Sequence, residues 1–167
     1  PIKMIYHFPR RILEVMEKSI HPQSIFEGNW YGNDTVWRMG VDINRILMYA
    51  SKNGEMKERP QRTLFTIVDG IIAGEGEGPL QPTSMPLGLI ACGKSPAAID
   101  AVMTKIVGFD FRMIPTINNS FRPMRYPLIN CQPADLIINT KNGSCNLSDI
   151  MNYFPSIHME PSSGWKG

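Results

Sequence analysis

The sequence has few cysteines, few histidines and no long apolar run. Its three cysteines include no pair at C-x-x-C spacing, so no zinc ribbon, iron–sulfur cluster or disulfide framework is indicated, and a reducing, cytoplasmic location is expected. The three histidines are scattered, which disfavours a zinc site. No apolar run reaches the roughly 18 residues that a membrane-spanning helix needs, and no signal-peptide pattern opens the chain. We therefore expect no membrane partner.

The chain also lacks an excess of charge of either sign. Lys and Arg number 17 and Asp and Glu number 15, which leaves a net charge of +2. No aromatic stacking motif accompanies the arginines, so no nucleic-acid partner is expected. A length of 167 residues suits one domain. We expect a single α/β domain over residues 1–160 and a polar tail over residues 161–167. The missing initial Met indicates a fragment of a longer protein, and nothing in the sequence indicates an oligomeric state.

The most informative stretch begins with two short apolar runs. Residues 63–68 combine β-branched and aromatic side chains between Pro60 and Gly70, which predicts a buried strand. Residues 87–92 form a second run that is apolar on both faces. Such runs favour a parallel sheet that is covered on both sides. The expected fold class is therefore α/β, a layered fold with a mostly parallel or mixed central sheet and helices on its faces.

Two amphipathic helices are predicted around these strands, after a strand at residues 2–8 and a helix at residues 9–20. The first covers residues 34–53, and its apolar face consists of Val36, Met39, Ile43, Ile46, Leu47 and Ala50. The second covers residues 96–107, where Ser95 can cap the first turn and Gly108 suits the left-handed stop. Asp100 lies at the edge of its apolar stripe.

Residues 88–95 fit the phosphate-loop pattern G-x-x-x-x-G-K-S, but their context argues against that function. The four residues between the glycines are apolar and are typical of a strand. Pro96 also removes one of the N–H donors of the helix. Lys94 beside the helix N-terminus at Ser95 can still attract an anion, so a small anionic molecule is the expected ligand.

Carboxylates follow the first predicted strand. Asp69 ends it, and a Gly-rich loop then carries Glu75 and Glu77. Converging carboxylates repel each other unless a divalent cation neutralises them or one holds a proton. Asp69, Glu75 and Glu77 could therefore form a magnesium- or calcium-type site, or supply an acid/base pair. In the alternative, Asp69 caps a turn and the glutamates only solvate a loop. The residues alone favour this alternative.

The segments VDGIIAGEGEGP and LGLIACGKSPAAIDAVMTKIVGF resemble the domain of unknown function family 362. In that family a strand ending in Asp-Gly precedes an E-G-x-G-P segment and an x-P-x-A-x-D helix that leads to Gly-Phe. The pattern falls on Asp69, Gly70, Glu75, Gly76, Gly78, Pro79, Pro96, Ala98, Asp100 and Gly108. The family has no settled activity. Its members tend to be longer and often carry a ferredoxin-like cysteine cluster, so the resemblance implies the C-terminal part of such a protein.

Three hypotheses follow, and whether the protein is an enzyme stays open. The first is a metal-dependent or acid/base enzyme acting on a small anionic molecule. Asp69 and Glu75 would bind a divalent cation such as magnesium or act as base, and Asp100 would orient the site. Lys94 and Ser95 would hold the anionic group. The second hypothesis is a non-catalytic ligand-binding or interaction domain. The third, from family analogy alone, is a redox partner of an iron–sulfur module absent from this chain.

Overall fold

The computed structural model describes residues 32–154 and 157–165. The strand predicted at residues 2–8 and the helix predicted at residues 9–20 lie outside the described residues. The helices are α1 (Val36–Tyr49), α2 (Pro96–Ile106) and α3 (Pro115–Ser120), and the strands are β1 (Thr66–Gly70), β2 (Ala73–Glu77), β3 (Gln81–Met85), β4 (Leu89–Gly93), β5 (Ile137–Thr140) and β6 (Gly143–Asn146). Short 3-10 turns occur at Phe111–Met113, Pro133–Asp135, Ile150–Asn152 and Ser163–Trp165.

The strands form three antiparallel pairs, β1 with β4, β2 with β3, and β5 with β6. The α/β class is confirmed in general. Within the described ranges, however, small antiparallel pairs take the place of the expected layered fold with a parallel or mixed central sheet. The reason is the connection between the strands. Parallel neighbours need a crossover, usually a helix, whereas the hairpin of β2 and β3 leads the chain back beside β1 in the opposite direction.

The pair of β1 and β4 is covered on one face only. α2 packs against β4, and the side chain of Ile99 lies against Gly93. The register places Ile67 opposite Cys92 and Asp69 opposite Ile90, and these four residues share the exposed outer face. Ile67 and Ile90 are each 66% exposed. The prediction that both strands are buried on both faces is therefore wrong for the described residues.

Helix α1 is shorter than the predicted range of residues 34–53, and the side chain of Asn33 caps its first turn. The Asn33 side-chain oxygen Oδ1 accepts hydrogen bonds from the N–H groups of Thr35 and Val36, each at 3.0 Å. Val41 and Tyr49 are its buried residues, and the Tyr49 hydroxyl donates to the carbonyl oxygen of Pro127 at 2.7 Å. The predicted apolar face of this helix is largely exposed. Its exposed members are Val36, Met39, Ile43, Ile46 and Leu47.

The main core surrounds α2. The Ser95 hydroxyl accepts a hydrogen bond from the Ala98 N–H at 3.3 Å, and Gly108 adopts φ +90° just past the helix, as its sequence predicted. Ala101 and Ile150 are fully buried. The buried cluster comprises Ala97, Ala101, Val102, Ile106, Ile117, Phe121, Leu136, Leu147 and Ile150. Among the helices that the structure describes, none is both long and apolar enough to cross a membrane.

Candidate ligand-binding cavity

The acidic, Gly-rich segment forms a hairpin and not the loop that was expected. Glu75 and Glu77 belong to strand β2, which pairs with β3 through partners such as Gly74 with Ser84. A side chain at Gly74 would place its Cβ 2.7 Å from the Cβ of Pro82, so only glycine allows this close approach. Alternation along the strand then puts both glutamates on the opposite face.

The two glutamates bind the C-terminal segment, defined here as residues 157–165. Glu75 Oε2 accepts a hydrogen bond from the Glu160 N–H at 2.9 Å, and Glu77 Oε1 accepts one from the Ser163 N–H at 2.6 Å. The Gly76 N–H donates to the Glu160 carbonyl oxygen at 2.8 Å. The hairpin and the C-terminal segment are therefore joined through both side-chain and main-chain contacts.

The other residues of the expected site lie elsewhere. Asp69 Oδ1 accepts a hydrogen bond from the Ile71 N–H at 3.1 Å, the turn-capping arrangement of the alternative interpretation. The Ser95 hydroxyl caps α2, and Lys94 is exposed beside it. Among residues 32–154 and 157–165, no group of three His, Cys, Asp or Glu side chains is placed so that it could hold a metal ion. The three cysteines are free thiols.

Asp100 lines a separate, small cavity of about 30 Å³ between α1, α2 and α3. Asn44, Thr116 and Ser120 also line this space. Although part of the residue is exposed, loss of water around its carboxyl group raises the pKa of Asp100. Asp100 is thus placed apart from the hairpin that carries Glu75.

A much larger cavity lies between the hairpin and the C-terminal segment. Its volume is about 850 Å³, and its described lining comes from four parts of the chain, within residues 32–34, 74–78, 108–115 and 159–165. Carbon atoms form most of the wall. Its large apolar side chains are Phe109, Met113, Ile114, Met159 and Trp165. Glu75 is the one residue of the expected site that lines it.

The polar groups of this cavity are mainly carboxylates. Asp34, Glu75, Asp110 and Glu160 are the charged residues of the described lining, and all four are acidic. Hydrogen bonds from the Arg38 guanidinium hold the pKa of Asp34 below its usual value, and those from Arg112 do the same for Asp110. The other polar side chains are the Asn33 amide and the Ser162 hydroxyl. Asn33 is 6% exposed, and its Nδ2 has no hydrogen-bond partner among the residues described.

Most of this lining was not identified from the sequence. Phe109 and Met113 follow α2 in an irregular segment, and Met159 belongs to a stretch without a motif. Trp165 carried the one available signal, because a single large aromatic residue in a polar tail is typical of a docking residue. The structure places Trp165 in the cavity wall.

Together these features define a small α/β domain of antiparallel strand pairs with a ligand-sized cavity that is partly open to solvent. The chain belongs to the family described as Domain of unknown function (DUF362), whose sequence model matches residues 3–105. The match contains the Asp-Gly strand end and the helix with Asp100, on which the resemblance rested. It lies on the N-terminal side of this chain, and it supports neither the expected C-terminal placement in a longer protein nor the link to a ferredoxin.

One relative is the Thylakoid-associated protein sll1697 of Synechocystis sp. (strain ATCC 27184 / PCC 6803 / Kazusa), which is 30% identical to this chain over 116 residues. The aligned region covers 62% of this chain and 33% of the relative, so the chain spans about a third of the relative's length. No solved structure matches the chain. Part of the cavity, from Gly108 to Trp165, lies beyond the region that matches the family.

Proposed function

We propose that this chain is a small-molecule-binding domain and that the cavity beneath the C-terminal segment is its ligand site. The observation that carries the proposal is the cavity itself, with a volume of about 850 Å³ and a mainly apolar wall. Ligand pockets in proteins commonly measure about 300–1,000 Å³ and combine an apolar wall with a few polar groups. This cavity agrees with both properties.

The positions of the acidic residues favour binding over catalysis. An acid/base or metal site needs its groups within hydrogen-bond reach of one reacting atom. Oxygen atoms of Asp69 and Glu75 instead accept main-chain hydrogen bonds, and Asp100 lines a different cavity. The second of the three hypotheses, a non-catalytic ligand-binding domain, is therefore the one that we adopt.

The test uses naphthylethanol, an uncharged aromatic probe, and follows its binding to the whole chain by ligand-observed NMR. Phe109→Ala removes an aromatic side chain from the cavity wall, and Phe65→Ala makes the same change at a residue that is 64% exposed and lies outside the cavity lining. We expect Phe109→Ala to weaken binding by roughly 3- to 10-fold, the size of one aromatic contact. Phe65→Ala should leave the affinity unchanged. No binding to the wild-type chain, or equal loss in both variants, would refute the proposal.

A further inference from the structure

Resting on the proposed function, we infer that the cavity takes an organic cation, an apolar molecule with a positively charged nitrogen near Glu75 and an acceptor oxygen near Asn33. This ligand class differs from the small anionic molecule that Lys94 and Ser95 suggested. Those two residues do not belong to the described lining of the cavity.

The charged side chains of the described cavity lining all have the same sign. The described lining has four carboxylates and no Lys, Arg or His side chain. Asp34 and Asp110 are paired with Arg38 and Arg112, which are not part of that lining. Glu75 is different, because the residue is half-buried and its carboxylate accepts a hydrogen bond from a main-chain N–H. A carboxylate held in this way, in a mainly apolar wall, attracts a cation and repels an anion.

The wall of the cavity also contains aromatic side chains. Phe109 and Trp165 both line the cavity, on the α2 side and the C-terminal segment respectively. Aromatic rings attract ammonium groups through their negative faces, and tryptophan is the most effective of them. An apolar amine would therefore bury its carbon skeleton against the wall, and its charge would be attracted by the rings as well as by the carboxylate.

A buried hydrogen-bond donor at Asn33 gives support that is independent of charge. Asn33 Oδ1 is committed to the first turn of α1, which fixes the orientation of the amide and leaves Nδ2 as the other group. Nδ2 is buried and has no partner among the described residues, although Asn33 lines the cavity. A buried donor without a partner costs about 1–3 kcal/mol. A hydroxyl or carbonyl oxygen on the bound molecule would supply the acceptor that this donor lacks, once the atoms that cover Nδ2 move aside.

The experiment compares probes that share one aromatic body and differ in one group. Three probes, naphthylethylammonium, naphthylethanol and naphthylacetate, are titrated into the whole chain at low ionic strength. A fourth probe is naphthylethylammonium with a hydroxyl group on the side-chain carbon next to the ring. We expect the ammonium probe to bind at least roughly 5-fold more tightly than the acetate, a difference that salt should reduce. The added hydroxyl should strengthen ammonium binding by several-fold.

Two matched variants test whether Glu75 causes the preference for the cationic probe. Glu75→Gln removes the charge but keeps a side-chain oxygen for the Glu160 N–H, so the C-terminal segment stays attached. It should lower the ammonium-to-acetate affinity ratio, whereas Glu55→Gln, at a surface residue paired with Lys57, should not. Tighter binding of the acetate, or an unchanged ratio in Glu75→Gln, would overturn the inference. If naphthylethanol binds but the ammonium probe has no advantage, only this inference fails. If no probe binds, the proposed function fails with it.

Discussion

The carboxylate of Glu75 and the main-chain N–H of Glu160 are joined by a 2.9 Å hydrogen bond between residues 85 positions apart. A second hydrogen bond, from the Ser163 N–H to Glu77, repeats the arrangement two residues further along β2. Acidic residues that resemble an active site in sequence thus hold the C-terminal segment against the hairpin. That attachment closes one side of the large cavity.

Removing the Glu75 carboxylate should loosen the C-terminal segment. We expect Glu75→Ala to lower the free energy of unfolding by about 1 kcal/mol, the usual value of one hydrogen bond. Hydrogen exchange should show faster exchange at the Glu160 amide, because its acceptor is lost. Glu55→Ala at the surface is the control and should leave that amide unchanged. Equal exchange rates in wild type and Glu75→Ala would contradict this view of the hairpin.

Gly108 should be intolerant of any side chain. It has φ +90°, and a Cβ added there would overlap the carbonyl oxygen of Ile157 and lie 2.8 Å from His158 Nδ1. We expect Gly108→Ala to destabilise the fold by roughly 2–4 kcal/mol, through backbone strain and this overlap together. Gly54→Ala is the matched control, since Gly54 has φ +81° with no atom within 4 Å of the added Cβ. Its cost should be the strain alone, about 1 kcal/mol. Chemical denaturation measures both, and equal costs would refute the steric argument.

Asp100 should make stability depend on pH. Burial raises the pKa of its carboxyl group in the folded protein, so between the unfolded and the folded pKa the folded state binds more protons. The contribution of this group is therefore most favourable below the unfolded value and declines as pH rises through the folded value. We expect Asp100→Asn to have a higher Tm than wild type at neutral pH and no such advantage in acid, where both side chains are uncharged. A Tm gain that persists in acid would show another cause.

The same substitution should destabilise the fold strongly at one isoleucine and hardly at all at another. Ile150 is fully buried against α2, whereas Ile43 on α1 is 55% exposed. Ile150→Ala should cost about 2–5 kcal/mol, because it leaves a cavity in the core. Ile43→Ala should stay within about 0.5 kcal/mol. Similar losses in urea denaturation would mean that the apolar face of α1 is covered in solution.

Local features of the fold could be predicted from the sequence. The caps of α2 at Ser95 and Gly108 were predicted, because capping signals depend only on neighbouring residues. The pairing of strands was not predicted, because an apolar run such as residues 89–92 does not show whether the neighbouring strand is parallel or antiparallel. Pro82 lies within β3 because β3 pairs on one side only, where proline is tolerated.

The cavity could not be predicted for a related reason. Its wall combines segments that are distant in the chain, and the contacts that join them use main-chain groups of Glu160 and Ser163. Every residue except proline has a main-chain N–H, so these contacts leave no pattern in the sequence. Residues 161–167 therefore resembled a polar tail, and the convergence of Asp69, Glu75 and Asp100 stayed a prediction that the described geometry does not favour.

Binding in the large cavity is most directly tested by the methyl signals of methionine. Met113 and Met159 line the cavity, whereas Met56 does not. The chain is labelled at its methionine methyl groups, the signals are assigned with Met→Leu variants, and naphthylethylammonium is added while NMR spectra are recorded. We expect saturable shifts of the Met113 and Met159 signals, while the Met56 signal stays in place. If both cavity signals stay in place while the probe is in excess, the cavity is not a ligand site.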